Sequence, residues 1–271
     1  ADSLGGQGID VWSLIETAYP YAIHDENSDD EYNSVYSDTE VERTVYVHAD
    51  WLAATAASPP LYHEILQLPD TQQGLEALIG VEVEAGIANH SAVRAGFTFS
   101  NVSVNNRVIE RHALGTITDV QGTIADYDGA FWISYDFASN QGVQNIFNFP
   151  VGFVEDGHEI IFNLPNGLQA YMITAANGDR IDTAPVTIVS DSYSSTFHLA
   201  PEVSNGLSCI SCHFNGMNYA EDDVLNIIQS NNTQFSPDVV GAASQLYKSP
   251  DDLNPLFDQD RLRFEFALNE L

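Results

Sequence analysis

Along this chain of 271 residues the spacing of apolar positions changes character twice. Over roughly the first ninety positions it follows a helical period. Asp10-Val11-Trp12-Ser13-Leu14-Ile15 joins an acidic start to apolar periodicity, and between Thr71 and Ala88 the residues Leu75, Leu78, Ile79 and Val83 recur along one face. The acidic insert Asp25-Glu26-Asn27-Ser28-Asp29-Asp30-Glu31 interrupts these signals and reads as an exposed loop; it lacks the central Gly and terminal Glu of a calcium-binding EF-hand loop.

From about Phe97 to Ala200 the pattern becomes short aromatic and β-branched runs separated by Gly, Asn, Asp and Pro, which predicts strands. Ala130 to Phe137 alternates. His158 to Leu164 is expected to pair with Leu168 to Thr174 across Pro165-Asn166-Gly167, and Ala176-Asn177-Gly178-Asp179 predicts a further turn. After Gly206 the pattern is helical again, over Ala220 to Ser230, Ser236 to Leu246 and Asp258 to Leu271, with Pro237 at a first-turn position. The expectation is an α+β fold: a mainly helical region over 1–96, an antiparallel β-rich region over 97–204 and a helical segment over 205–271. No repeat or low-complexity linker separates them, so they can pack as one body.

Composition refines this picture. With 44% hydrophobic and 11% aromatic residues the chain can bury a substantial core. No apolar run approaches the roughly 18 to 20 residues that span a bilayer, so membrane insertion is not expected. The start, Ala1-Asp2-Ser3-Leu4-Gly5, lacks the regions of a signal peptide and reads as already processed. Thirty-nine acidic residues against eight basic ones give a formal charge of −31. Such a surface repels nucleic acid and anionic lipid, suits saline surroundings and favours a cationic partner.

Both cysteines of the chain lie in Cys209-Ile210-Ser211-Cys212-His213. A C-x-x-C-H run lets two thiols add to the vinyl groups of one haem while the next imidazole binds the iron, so one covalent haem c is the expected cofactor, held by Cys209, Cys212 and His213. A structural zinc would want a second ligand pair of comparable spacing, and a dithiol redox pair has no need of His213. The second axial ligand is less plainly marked. Met217 follows His213 by four residues, which on a continuing helix keeps it on the same side of the haem. Met172 reads as strand core, and His24, His90, His158 and His198 as surface residues, leaving His48, His63 and His112. His112 ends a segment with Arg107 and Arg111, two of the eight cations, which would suit a site that neutralises haem propionates; ion pairs with local acids are the plainer alternative. His63 follows Pro59-Pro60-Leu61-Tyr62 and competes closely.

The segments Tyr19-Pro20-Tyr21, Ala49-Asp50-Trp51, Ala54-Thr55-Ala56, Pro59 to His63, Asn105 to His112, Trp132 to Phe137, Asn145-Ile146-Phe147, Glu159 to Tyr171 and Asn205 to His213 together resemble a poorly characterised family of exported bacterial c-type cytochrome proteins of planctomycete and marine genomes. The resemblance implies a single module with one covalent haem. It makes His63 and His112, rather than His48, family positions, and it implies maturation after export, hence a periplasmic or extracellular location. No activity comes with it. Three functions follow as alternatives: an electron carrier with His213 proximal and a second histidine distal, a peroxidase-like enzyme with an exchangeable distal site, or a sensory or structural subunit that uses the β-rich middle. The corresponding partners are a redox protein, a small-molecule oxidant, or further copies in an assembly.

Overall fold

The fold is described from a computed structural model over residues 23–25, 45–114, 116–118, 124–126, 129–191 and 201–270. The expected helix at Asp10–Ile15 and residues 26–31 of the acidic insert lie outside this set. The chain divides into two compact units, Ala1–Tyr62 and His63–Leu271, a division that falls at neither residue 96 nor residue 204. In the first unit β1 (Ile23–Asp25) pairs antiparallel with β2 (Val45–Val47), followed by α1 (Ala49–Ala56). Helix α2 (Leu61–Leu66) runs across the division.

The second unit is built on a five-stranded antiparallel sheet and is α+β. Its strands β3 (Val93–Phe97), β4 (Arg107–Ala113), β7 (Ala130–Asp136), β8 (Gly157–Asn163) and β9 (Gln169–Ala175) lie side by side in that order. A small ribbon, β5 (Thr116–Thr118) with β6 (Ile124–Asp126), connects β4 to β7. Helices α3 (Gln72–Ile79) and α4 (Val83–Ala88) precede the sheet. The single periodic stretch between Thr71 and Ala88 is thus two helices. Thr71 caps the first by accepting the Gly74 amide at 3.1 Å, and Gly80, in the left-handed region, stops it. The hairpin at Pro165-Asn166-Gly167 forms as expected, with the Gly167 amide donating to the Leu164 carbonyl at 2.8 Å. The short strands β10 (Thr183–Ala184) and β11 (Val203–Ser204) then lead to α5 (Leu207–Cys212), α6 (Val224–Ser230), α7 (Pro237–Leu246) and α8 (Pro250–Asn269).

The register assigns every side chain of the sheet to one of two faces. Arg107, Ile109 and Arg111 of β4 stand opposite Asp136, Ser134 and Trp132 of β7, on one face; Val108, Glu110 and His112 stand opposite Tyr135, Ile133 and Phe131, on the other. Helix α8 covers the first face. Its Leu253 and Phe257 pack with Ala95, Ala130, Trp132 and Met217, and the Trp132 and Phe257 rings stack at 4.8 Å, a pairing worth about 0.5–1.5 kcal/mol beyond the area it buries. This helix begins eight residues before Asp258, where the sequence pattern placed its start; the internal Pro255 masks its first two turns in the sequence. Helix α4 lies against the second face. A Cβ on its Gly86 would sit 2.6 Å from Nδ1 of His112, so only glycine permits that approach.

The edge strand β3 is covered rather than left open to solvent. The Gly96 amide donates to Asp222 Oδ1 at 2.8 Å, the Asp223 amide donates to the Gly96 carbonyl, and Lys248 donates its amide to the Arg94 carbonyl. Among the described residues no helix is long and apolar enough to cross a membrane.

Asp222 makes this edge sensitive to pH. Burial pushes its carboxyl up to about 6 from an ordinary 3.8, in spite of hydrogen bonds from the Gly96, Leu225 and Val224 amides. The folded chain therefore holds this proton more tightly than the unfolded chain. Its contribution is complete below about pH 4 and is lost as the pH rises through about 6, a change of about 2–3 kcal/mol. Urea denaturation of the natural protein and of Asp222→Asn should show a stability difference that shifts by about this amount between those limits. A pH-independent difference would refute it.

Candidate functional site

The site is built from α5 upward. The Ser204 amide donates to Ser208 Oγ at 3.0 Å, fixing the helix to β11, and the next residue, Cys209, packs against the cluster of Ile173, Ala184, Val189 and Val203. Cys212 follows one helical turn later on the same side, and both thiols are free and half-buried. His213 ends the helix. Its Nδ1 lies 3.2 Å from the Gly216 carbonyl, which a left-handed Gly216 turns toward the ring. An Nδ1–H donated to that carbonyl makes Nε2 the free lone pair, and among the described residues Nε2 has no hydrogen-bond partner. The Tyr171 ring of β9 lies 6.0 Å from the imidazole, so the motif sits over the first face of the sheet.

Burial pushes the Cys209 and Cys212 thiols above their ordinary range, with the charge of Glu159 adding to the effect at both, so that both are protonated at neutral pH. Burial also lowers the His213 pKa, against the pull of Glu159, and keeps the imidazole neutral at neutral pH, the state that binds iron. Among the described residues no three His, Cys, Asp or Glu side chains are grouped to hold a metal ion. A thioether-linked haem asks only one iron ligand of this segment. The two thiols on one side of a helix, followed by an oriented neutral imidazole, fit such a group.

Arg107 and Arg111 share the face of the motif, but both are engaged by carboxylates of the chain. Arg107 is ion-paired with Asp136 and Glu159; its Nη2 also donates to Ser134 Oγ at 3.1 Å. Arg111 grips Asp260 of α8 with two hydrogen bonds, 2.9 Å from Nε and 3.2 Å from Nη2. The same carboxylate accepts from Trp132 Nε1 at 2.8 Å and from Arg263 Nη1 at 3.0 Å. The expected propionate role is therefore corrected to the plainer alternative of internal ion pairs.

The expectation for His112 is corrected as well. Residues 111 and 112 point to opposite faces of β4, so His112 lies across the sheet from His213, and the two do not face one iron. His112 Nε2 instead donates to Glu110 Oε1 at 2.7 Å, where the Tyr135 hydroxyl also donates at 2.9 Å, while Arg94 holds the other oxygen. Burial disfavours the charge on Glu110, but the hydrogen bonds and charges of His112 and Arg94 win and hold its carboxyl below the usual range. His63 is the expected ligand that does reach the haem segment. It is buried with Nε2 2.8 Å from Asn205 Nδ2, four residues before Cys209.

Met217 and Met172 are both buried in the core, Met172 opposite Ile160 on the second face. His158, expected at the surface, is buried between Thr174 and Glu155, at 3.0 and 3.2 Å. His48 is exposed at the start of α1, His90 is half-buried after α4, His24 lies in β1, and His198 is outside the described residues. Sequence reasoning missed Asp260, Glu110, Asn205, Asp136 and Glu159. For Glu110 a signal existed, since it shares the parity of His112 on β4; the partners of the two arginines come from far along the chain and left none.

Compared with known proteins, the chain matches no family model, no curated protein and no solved structure.

Asp260 supplies a direct test of this face. Asp260→Ala leaves the largely buried Arg111 and the indole N–H of Trp132 without their acceptor, and should cost about 3–5 kcal/mol in chemical denaturation. A loss under about 1 kcal/mol, the range of exposed pairs, would show that the cluster does not hold α8 to the sheet.

Proposed function

We propose that this protein is an exported monohaem c-type cytochrome that transfers electrons through a haem attached at Cys209 and Cys212, with His213 as the proximal ligand. The observation that carries the proposal is the hydrogen bond from His213 Nδ1 to the Gly216 carbonyl, which leaves Nε2 unoccupied beside two unpaired thiols. The surface supports it: Leu207, Ile210 and Phe214, in and next to the motif, are exposed, and a planar apolar group fixed there would cover them. The haem supplies one-electron chemistry; the chain supplies orientation and electrostatics. Gly216 holds the ring of His213, Tyr171 and Ile173 exclude water from the sheet side, and Glu159 places a negative charge near the motif that favours the oxidised state.

His63 is carried forward as the distal ligand, because it is the expected imidazole that contacts the haem segment. One observation favours a second reading. With Nε2 of His63 held by Asn205, a haem attached here would not receive that histidine and would be able to bind an exogenous ligand, as in a peroxidase-like haem protein. Optical spectra separate the two. The carrier predicts a six-coordinate ferrous spectrum indifferent to carbon monoxide, carbon monoxide binding after His63→Ala, and no change after His112→Ala. Ready binding of carbon monoxide by the natural protein, with no effect of His63→Ala, would transfer the assignment to the ligand-binding enzyme.

A further inference from the structure

Under the haem segment lies a polar cluster that attachment and ligation leave unused. Asp136 and Glu159 both pair with the single guanidinium of Arg107, so with all three ionised the group carries one net negative charge. Asp136 is almost wholly buried, and its other contact is the Ser134 hydroxyl, which donates to it at 2.8 Å. The cluster lies beside the motif. Glu159 stands directly across from Ile173, the residue of the cluster on which Cys209 packs, and its charge reaches His213 and both thiols. The charged and titratable groups facing it are Arg107 from β4, Asp136 from β7, Glu159 from β8, Asp156 from its approach, and His213 and Cys212 from the haem segment, whereas the ring of His158 lies on the other face. A cavity of about 50 Å³ adjoins the pair, lined by Asp136, Asp156 and Glu159 together with apolar residues that include Ile173, Ile188 and Val189, with room for water.

We propose that the carboxylate pair Asp136–Glu159, joined by Arg107, binds a proton from this cavity more tightly when the haem fixed at Cys209 and Cys212 gains an electron. The inference deepens the haem reading and rests on it. An external one-electron donor reduces ferric to ferrous iron, and where the Asp136 carboxylate becomes a carboxylic acid with a proton from water, the net charge of the site is unchanged. Removing one positive charge from the haem side strengthens the hold of the pair on a proton. At an effective dielectric of about 20, charges about 10 Å apart change proton affinity by about tenfold. Linkage makes the effect reciprocal, so a proton on the pair favours the reduced state. Asp136 is the seat of the proton because burial raises its pKa most, against the pull of Arg107 and with the help of Glu159.

The test is a spectroelectrochemical titration of the matured protein with dithionite as donor. The midpoint potential should fall by about 59 mV in all as the pH rises through the range in which the pair titrates, the counterpart of a tenfold change in proton affinity. Asp136→Asn should abolish the slope. Glu159→Gln, at a partly exposed side chain, should move the sloping region to lower pH and keeps the test available if the first variant does not fold. The reduced-minus-oxidised infrared spectrum of the natural protein should show a protonated carboxyl band that appears on reduction. A flat profile, or a slope unchanged in both variants, would overturn the proposal alone. A sample without haem absorbance would overturn the underlying reading together with it.

Discussion

The two-residue alternation of strand β4 constrains everything else in this molecule. It sends Arg107 and Arg111 to the side of the sheet that carries the C-x-x-C-H segment, and Glu110 and His112 to the other. A one-residue slip in register would exchange these sets and leave buried charges without partners on both faces. Each set is closed by groups from distant parts of the chain. Asp260 of α8 completes the first, and Arg94 of β3 with Tyr135 of β7 completes the second. The polar pairs thus fix which face receives the C-x-x-C-H segment, and the apolar contacts of Met217 with Trp132 and Phe257 hold it there.

Cations are scarce in a chain with eight basic residues, and four of them, Arg107, Arg111, Arg261 and Arg263, lie on or beside the motif's face. Their partners are unevenly shared. Asp260 serves both Arg111 and Arg263, whereas Arg107 is shared by Asp136 and Glu159. In a low-dielectric interior such pairs act on neighbouring groups more strongly than the diffuse surface charge, which salt screens within about 8–10 Å.

Much of the fold was legible in the sequence because it depends on local patterning. The β7, β8 and β9 strands, the Gly167 turn and helices α6 and α7 all lie close to where apolar spacing and turn residues placed them. The α+β class followed from the same signals. Apolar spacing places the start of α8 too late because Pro255 resembles a boundary, and it makes Thr71 to Ala88 one periodic stretch because only Gly80 to Glu82 separate two helices that share a period. The C-x-x-C-H run stands out in the sequence because its proposed chemistry requires a fixed local spacing. Which histidines share its face is not marked in the same way, since that depends on how residues meet across the sheet. His112 looked suitable through proximity to two arginines in the chain, yet adjacent residues on a strand face opposite ways.

The account stands or falls on whether residues 209 and 212 carry a porphyrin, and peptide mapping with intact mass spectrometry of protein matured with c-type haem assembly measures this most directly. It predicts one haem per chain, located on the peptide containing Cys209 to His213 and absent from the Cys209→Ala, Cys212→Ala double variant. A mass equal to that of the bare polypeptide would contradict it.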